Sequence, residues 1–342
     1  MAAALPIIDF APFLSPNSTL SQKEDVAKEL DRACREVGFF YLKGHGIPED
    51  MIASMLAKAR DFFENATAEE KGKIAIKNIK QGGDNARGWL RVENSEKGSH
   101  EAVDFYRPVE TQSPPYTTGM GVNQWPSTPP DLQDITETYI KRLEHLGCEV
   151  MRAMAMGLQV DPSVFLDRIN KAFWNLRILG YEGRKSKKPK PAGIGEHTDY
   201  GILTFLLTDA TKQSLQVLSK SGEWIWADPI EVNEFQSRYE FTQANLNNLK
   251  GCYVCNIGDM LAEWTRGAYK STLHRVCHTS DSLRISIPFF FDPNWDAFIS
   301  PVLPDADGKL NEVQGIRYRD KFLQSVDYPL WRKPLVEPAL MP

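Results

Sequence analysis

The distribution of apolar and polar positions divides the chain into a mainly helical first part and a β-rich second part. PIIDF (6–10) reads as a short strand. In SQKEDVAKELDRACREVG the apolar residues Val26, Leu30, Ala33 and Val37 recur at helical spacing, and Ser21 with Glu24 has the form of a capping box. Phe39-Phe40-Tyr41-Leu42 predicts a strand ending in the turn Gly44-His45-Gly46. Residues 49–75 read as helical. The stretch 76–128, marked by Gly82-Gly83 and Pro114-Pro115 and followed by Pro129-Pro130, reads as irregular. Residues 131–157 predict a long amphipathic helix carrying Ile135, Tyr139, Leu143, Leu146, Val150 and Met154.

From residue 172 onward short apolar runs alternate with turns: FWNLRILGY, GILTFLLT, LQVLS, EWIWAD, CYVCNIG and RISIPFFF. Such spacing predicts antiparallel strands in a sandwich or barrel, followed by a helical tail at 315–325. The expected class is α+β around a double-sheet barrel. No fixed-period repeat interrupts it.

Composition narrows the function classes. The 342 residues allow one large domain or two ordinary ones, with 42% hydrophobic and 25% charged positions. That is globular, and large enough to fold without a staple. A net charge of −5 with no basic half argues against a dedicated nucleic-acid binder. Five cysteines are too few and too uneven for a secreted disulfide framework. No signal peptide is expected, because Asp9 interrupts a short apolar start that lacks a basic flank. No uncharged run approaches the roughly 18 residues of a membrane span. The expectation is a cytoplasmic monomer acting on a small molecule, without nucleic acid or membrane as partner.

Two short motifs carry candidate chemistry. In His197-Thr198-Asp199 an imidazole and a carboxylate stand at i and i+2, which share one face of a strand. A second histidine from another strand would complete the two-His, one-carboxylate set that leaves adjacent positions open on non-haem Fe(II). In RISIP (284–288) Arg284 and Ser286 have the same i, i+2 relation, and a guanidinium fork beside a hydroxyl suits a carboxylate. Alone, either motif also fits an ordinary surface pair or salt bridge. His274 lies ten residues before Arg284, and Asn256-Ile257-Gly258-Asp259 marks a turn before it.

Taken in order, these pieces resemble the isopenicillin-N-synthase-like branch of the Fe(II)/2-oxoglutarate-dependent dioxygenases, over nearly the whole chain. PIIDF and VGFFYLKGHGIP are similar to the N-terminal strands of that family, and NQWP (123–126) to its midsection. GEHTDYGILTFL resembles its His-x-Asp segment, NIGDMLAEWTRGAYKSTLHRV its distal-His segment and RISIPFFFDPN its Arg-x-Ser strand. The resemblance implies a double-stranded β-helix (jelly-roll) core with flanking helices. It implies His197, Asp199 and His274 as iron ligands. Arg284 and Ser286 would bind the 5-carboxylate of 2-oxoglutarate, with Tyr181 as a further donor. O2 would be the oxidant and ascorbate a reductant, with succinate and CO2 released as a substrate C–H bond is oxidised.

The same resemblance assigns residues 1–130 to an N-terminal region covering the site and 131–342 to the jelly-roll core, long helix and helical tail, as one integrated unit. It suggests Arg177 and Leu203, on strands facing the cavity, and Trp89 and Phe105, from the covering stretch, as substrate contacts. Two departures stand out. Where the family often carries Asn-x-Tyr-Pro, this chain has Leu179, Tyr181 and Glu182. The ligand spacing of 274 − 199 = 75 residues is long, and the excess falls in 231–250, an expected lid over the site.

Other features read as structural. Cys252 and Cys255 should face opposite ways on one strand, and His45 should belong to its turn. His278 stands four residues past His274 without the family motif, and the basic run 184–190 suits a solvated loop. Alternatives remain: an iron oxidase that does not use 2-oxoglutarate, an inactive jelly-roll binding protein and a zinc hydrolase. For the substrate, NARGW (85–89) and the overall length are similar to relatives that oxidise a methyl group on a pyrimidine or other ring.

Overall fold

The structure, a computed structural model, describes residues 5–94, 98–110, 113–183, 192–230, 252–305, 307–309 and 315–326. The basic run 184–190 and the expected lid 231–250 lie outside them. Strands are β1 (Ile7–Asp9), β2 (Phe39–Lys43), β3 (Gly88–Asn94), β4 (Gly98–Tyr106), β5 (Asn175–Tyr181), β6 (Ala192–His197), β7 (Leu203–Thr208), β8 (Leu215–Leu218), β9 (Trp224–Trp226), β10 (Tyr253–Ile257), β11 (His274–His278), β12 (Arg284–Phe291), β13 (Phe298–Ile299) and β14 (Ile316–Arg317). Helices are α1 (Ala11–Leu14), α2 (Leu20–Glu36), α3 (Glu49–Asn65), α4 (Ala68–Lys73), α5 (Leu132–Leu158), α6 (Ser163–Leu166), α7 (Asp259–Trp264) and α8 (Tyr318–Val326).

Eight strands form the main sheet in the order β1-β2-β10-β7-β12-β5-β4-β3, and β6-β11-β8-β9 form a minor sheet. This is the expected α+β class with a jelly-roll core. Between the sheets lies a small apolar cluster that includes Leu179, Tyr181, Val217, Val254 and Val276. A much larger core, with Leu143, Val150, Phe205, Ile287 and Phe289, fills the space between the main sheet and α2, α3 and α5. Gly147 lets α5 approach the sheet closely, since a Cβ there would stand 2.9 Å from the Phe291 ring. The main sheet therefore has a helix face and a lumen face.

Local corrections have physical causes. The first long helix is capped by Thr19 with Gln22, two residues before the expected Ser21 and Glu24. The expected helix over 49–75 breaks at Ala66, whose backbone is extended, because Thr67 and Glu70 form a capping box of their own. The stretch expected to be irregular contains β3 and β4, paired from Gly88↔Asp104 to Asn94↔Gly98. These strands join β5 in the main sheet, so the N-terminal region extends the sheet.

Candidate metal and cosubstrate site

His197 ends β6 and His274 begins β11, and the two are register partners across the minor sheet. Asp199 lies two residues past the end of its strand, in the turn leading to β7. Its convergence on His197 therefore comes from a turn, not from strand alternation. Among the described residues these three form the one group with metal-ligating geometry, all donor atoms lying within 4.8 Å of one another. Asp199 Oδ1 is 3.9 Å from His197 Nε2 and 3.6 Å from His274 Nε2.

The surrounding hydrogen bonds orient each donor. His197 Nδ1 is 2.8 Å from the Gly195 carbonyl and His274 Nδ1 is 3.1 Å from the Thr272 carbonyl. A proton on each Nδ1 satisfies those carbonyls and leaves Nε2 as a lone-pair donor toward the cluster. The Asp199 Oδ2 atom accepts from Thr204 Oγ1 at 2.6 Å and Asn256 Nδ2 at 2.7 Å, so Oδ1 is presented to the histidines.

Burial by itself would raise the Asp199 carboxyl, but the two imidazoles and the Asn256 amide hold it well below the usual range. Burial also works against a proton on His274, yet Asp199 raises it; His197 is lowered by burial and by His274. A cation among these donors would replace the proton that the cluster otherwise shares. Two imidazoles and one carboxylate suit Fe(II) and leave positions for further ligands.

Arg284 and Ser286 lie on the lumen face of β12, and Tyr181 faces Arg284 across the β5–β12 pairing. The guanidinium sits 5.0 Å from the centroid of the Tyr181 ring. Arg284 is 1% exposed, and its buried Nε and Nη1 have no hydrogen-bond partner. A buried cation with unsatisfied donors is costly, and an anionic carboxylate fits that requirement. Burial pushes the Tyr181 hydroxyl up, against the opposing influence of Arg284 and Ser286.

Comparison with known proteins decides the family. Residues 5–128 match the family described as non-haem dioxygenase in morphine synthesis N-terminal, and 168–293 match the 2OG-Fe(II) oxygenase superfamily. A homoarginine-6-hydroxylase from Glycine max is 38% identical over 318 residues, covering 88% of each chain. The chain belongs to the 2OG-Fe(II) oxygenase superfamily. A Dictyostelium discoideum relative named "Probable iron/ascorbate oxidoreductase" is 32% identical, covering 86% of this chain and 82% of its own. A full-length Neurospora crassa protein crystallised with alpha-KG and 5-formyluracil superposes with a TM-score of 0.74 at 26% identity, covering 94% and 95% of the two chains. The oxygenase requires Fe(II), 2-oxoglutarate and O2, and it acts on small molecules. No described helix is long and apolar enough to cross a membrane.

The expected substrate contacts separate by strand face. Arg177 lies on the lumen face of β5, on the same side as Leu179 and Tyr181, and its guanidinium grips Asp104 at 2.8 Å through both Nε and Nη2. Its charge also helps to lower His197 and, behind burial, to bring His100 down to about 4. Trp89, Phe105 and Leu203 belong instead to the helix-face core. Phe105 stacks on Trp125 with centroids 4.0 Å apart, and the Trp89 indole donates to Glu101 at 3.0 Å. Their placement on the far side of the sheet removes the basis for expecting them to touch substrate.

His278 is occupied by Ser282 and Ser214, and His45 packs edge-on to Tyr253. Sequence reasoning in the oxygenase missed Asp104, Asn256 and Thr204. Asn256 stood in the quoted NIGD turn and could have been weighed. Thr204 carries no signal beyond its place on the next strand.

Proposed function

We propose that His197, Asp199 and His274 hold Fe(II), that Arg284, Ser286 and Tyr181 receive 2-oxoglutarate, and that the product is a hydroxylated small polar molecule. The observation that supports this most is Arg284, a buried guanidinium with two unpartnered donors beside a His-Asp-His cluster. When bound, iron with 2-oxoglutarate and O2 supplies the oxidative decarboxylation that releases succinate and CO2 and drives C–H oxidation.

The chain's own groups do the rest. Gly195 and Thr272 carbonyls keep the imidazole Nε2 atoms turned inward, while Thr204 and Asn256 hold the far oxygen of Asp199. The Arg284 fork anchors the distal carboxylate of the cosubstrate, and the Ser286 hydroxyl adds a neutral donor. The inner wall of β4 and β5 then orients the substrate through the Asp104–Arg177 pair, which is buried close to His197.

That wall favours a substrate with a polar, oxygen-bearing group. A homoarginine carboxylate and a pyrimidine imide edge both qualify, and the relatives point to each. The higher sequence identity, 38% against 26%, makes a basic amino acid of homoarginine type the first candidate. The chain is read as a monomer with no nucleic-acid partner, in keeping with its net charge of −5. The test is succinate-coupled O2 uptake by Fe(II)-loaded protein with ascorbate as reductant, given homoarginine, arginine, thymine or 5-formyluracil. A hydroxylated product formed one-for-one with succinate supports the reading. No coupled product from any of these compounds removes the substrate proposal.

A further inference from the structure

The two ligand segments are far apart in sequence, and one carboxylate joins them. Asp259, the first residue of α7, accepts from Thr198 Oγ1 at 3.0 Å through Oδ2 and from Ser271 Oγ at 2.6 Å through Oδ1. Thr198 stands between the candidate ligands His197 and Asp199. Ser271 stands three residues before His274. The Asp259 amide also donates to the Asp199 carbonyl at 2.7 Å.

The neighbouring amides extend this grip. Gly258 N donates to the Ile202 carbonyl at 3.1 Å and Met260 N to the Gly201 carbonyl at 3.0 Å. The approach is too close for a side chain, since a Cβ on Gly258 would lie 2.3 Å from the Gly201 oxygen. The turn carrying Asp199 is therefore seated backbone-to-backbone on the start of α7, while the Asp259 side chain reaches both ways along the ligand set.

We propose that Asp259 is the positioning residue of the metal centre, fixing the His197–Asp199 turn and the His274 segment relative to each other through Thr198 and Ser271. It does not touch the metal; it acts by limiting how far the two segments can separate. The proposal rests on the reading of His197, Asp199 and His274 as ligands. Outer partners of metal ligands commonly contribute about 10–100-fold in affinity or activity, which sets the scale expected here.

The test uses Co(II) as a spectroscopic stand-in for Fe(II), titrated into the full chain, with thermal unfolding of each metal-free variant alongside. Asp259→Ala should weaken Co(II) binding about 10–100-fold and change the ligand-field bands of the bound ion. Asp259→Asn, which keeps one acceptor oxygen, should recover part of both. Thr198→Val and Ser271→Ala should each weaken binding less, and neither should add to the loss in the Asp259→Ala background.

His274→Ala separates the two levels of the argument. If it binds Co(II) like the wild type, the ligand assignment itself fails. If His274→Ala loses binding while folded Asp259→Ala keeps wild-type affinity and bands, only the positioning role is overturned. Should Asp259→Ala not fold, the Thr198→Val and Ser271→Ala pair decides: unchanged Co(II) affinity in both overturns the proposal.

Discussion

The two faces of the main sheet are built from the same strands and do different work. On β12, Ile285, Ile287, Phe289 and Phe291 enter the large core under the helices, while Arg284 and Ser286 look into the lumen. On β7, Leu203, Phe205 and Leu207 join that core, and Thr204 turns the other way to hold Asp199. On β10, Tyr253, Cys255 and Ile257 are core residues, whereas Asn256 binds the same carboxylate. The period of two thus puts the larger core on one face and, beside the smaller apolar cluster, the polar, incompletely satisfied groups on the other. A rigid helix-packed face is what allows the lumen face to keep a buried guanidinium with two unsatisfied donors.

The comparison breaks first at the metal cluster. His274→Ala should abolish coupled turnover while the unfolding midpoint of the metal-free chain stays near that of the wild type. A folded variant with substantial turnover would take His274 out of the ligand set. The mirror experiment is Phe289→Ala, on the helix face. It should cost about 3–5 kcal/mol in denaturant unfolding, with metal affinity of the folded fraction unchanged. A loss of metal affinity matching the loss of stability would show that the faces are not independent.

A smaller effect is expected at Gly180, where a Cβ would stand 2.8 Å from the Phe63 ring of α3. Gly180→Ala should lower stability by about 1–3 kcal/mol through overpacking of the helix face. Because Tyr181 beside it faces the lumen, 2-oxoglutarate affinity should hold; a parallel drop in that affinity would sharpen the coupling between faces.

The last effect is a slope with pH. Burial raises the Asp292 carboxyl from 3.8 to about 7, even as Tyr318 and the Ile202 amide pull it down. The folded chain then keeps this proton after the unfolded chain has lost it. Its contribution to stability is full below about pH 4 and is lost as the pH rises to about 7. Asp292→Asn should remove that slope, measured as unfolding free energy across the interval. An unchanged slope would place its origin elsewhere.

How much was legible follows from these faces. The convergence of His197, Asp199 and His274, and the pair Arg284 and Ser286 on one strand face, were readable because few other patterns share those spacings. The strands β2, β7, β10 and β12 were readable as apolar runs. Their continuity is also why Leu203 was misassigned: a strand buried on both sides shows no alternation to say which residue faces which layer. Phe105 and Trp89 were obscured differently. The hairpin β3–β4, in which Arg91 pairs with Glu93 and Glu101, lies between Gly82-Gly83 and Pro114-Pro115, the turn residues that make the whole stretch read as irregular. Thr67 and Glu70, three residues apart, have the form of a capping box that marks the break between α3 and α4, a signal the single helix expected over 49–75 left unused.

Arg284 keeps two buried donors, Nε and Nη1, without a protein partner, and in the proposed function 2-oxoglutarate completes them. Anaerobic titration of the Fe(II)-loaded chain with 2-oxoglutarate, followed through the visible absorption of the metal–cosubstrate complex, tests it directly in Arg284→Ala and in Ile285→Val. A charge-assisted contact of roughly 1.5–3 kcal/mol predicts that Arg284→Ala binds about 10–100-fold more weakly. Ile285→Val, one residue along and facing the helices, should bind as the wild type does. Equal 2-oxoglutarate affinity in wild type and Arg284→Ala would contradict the account.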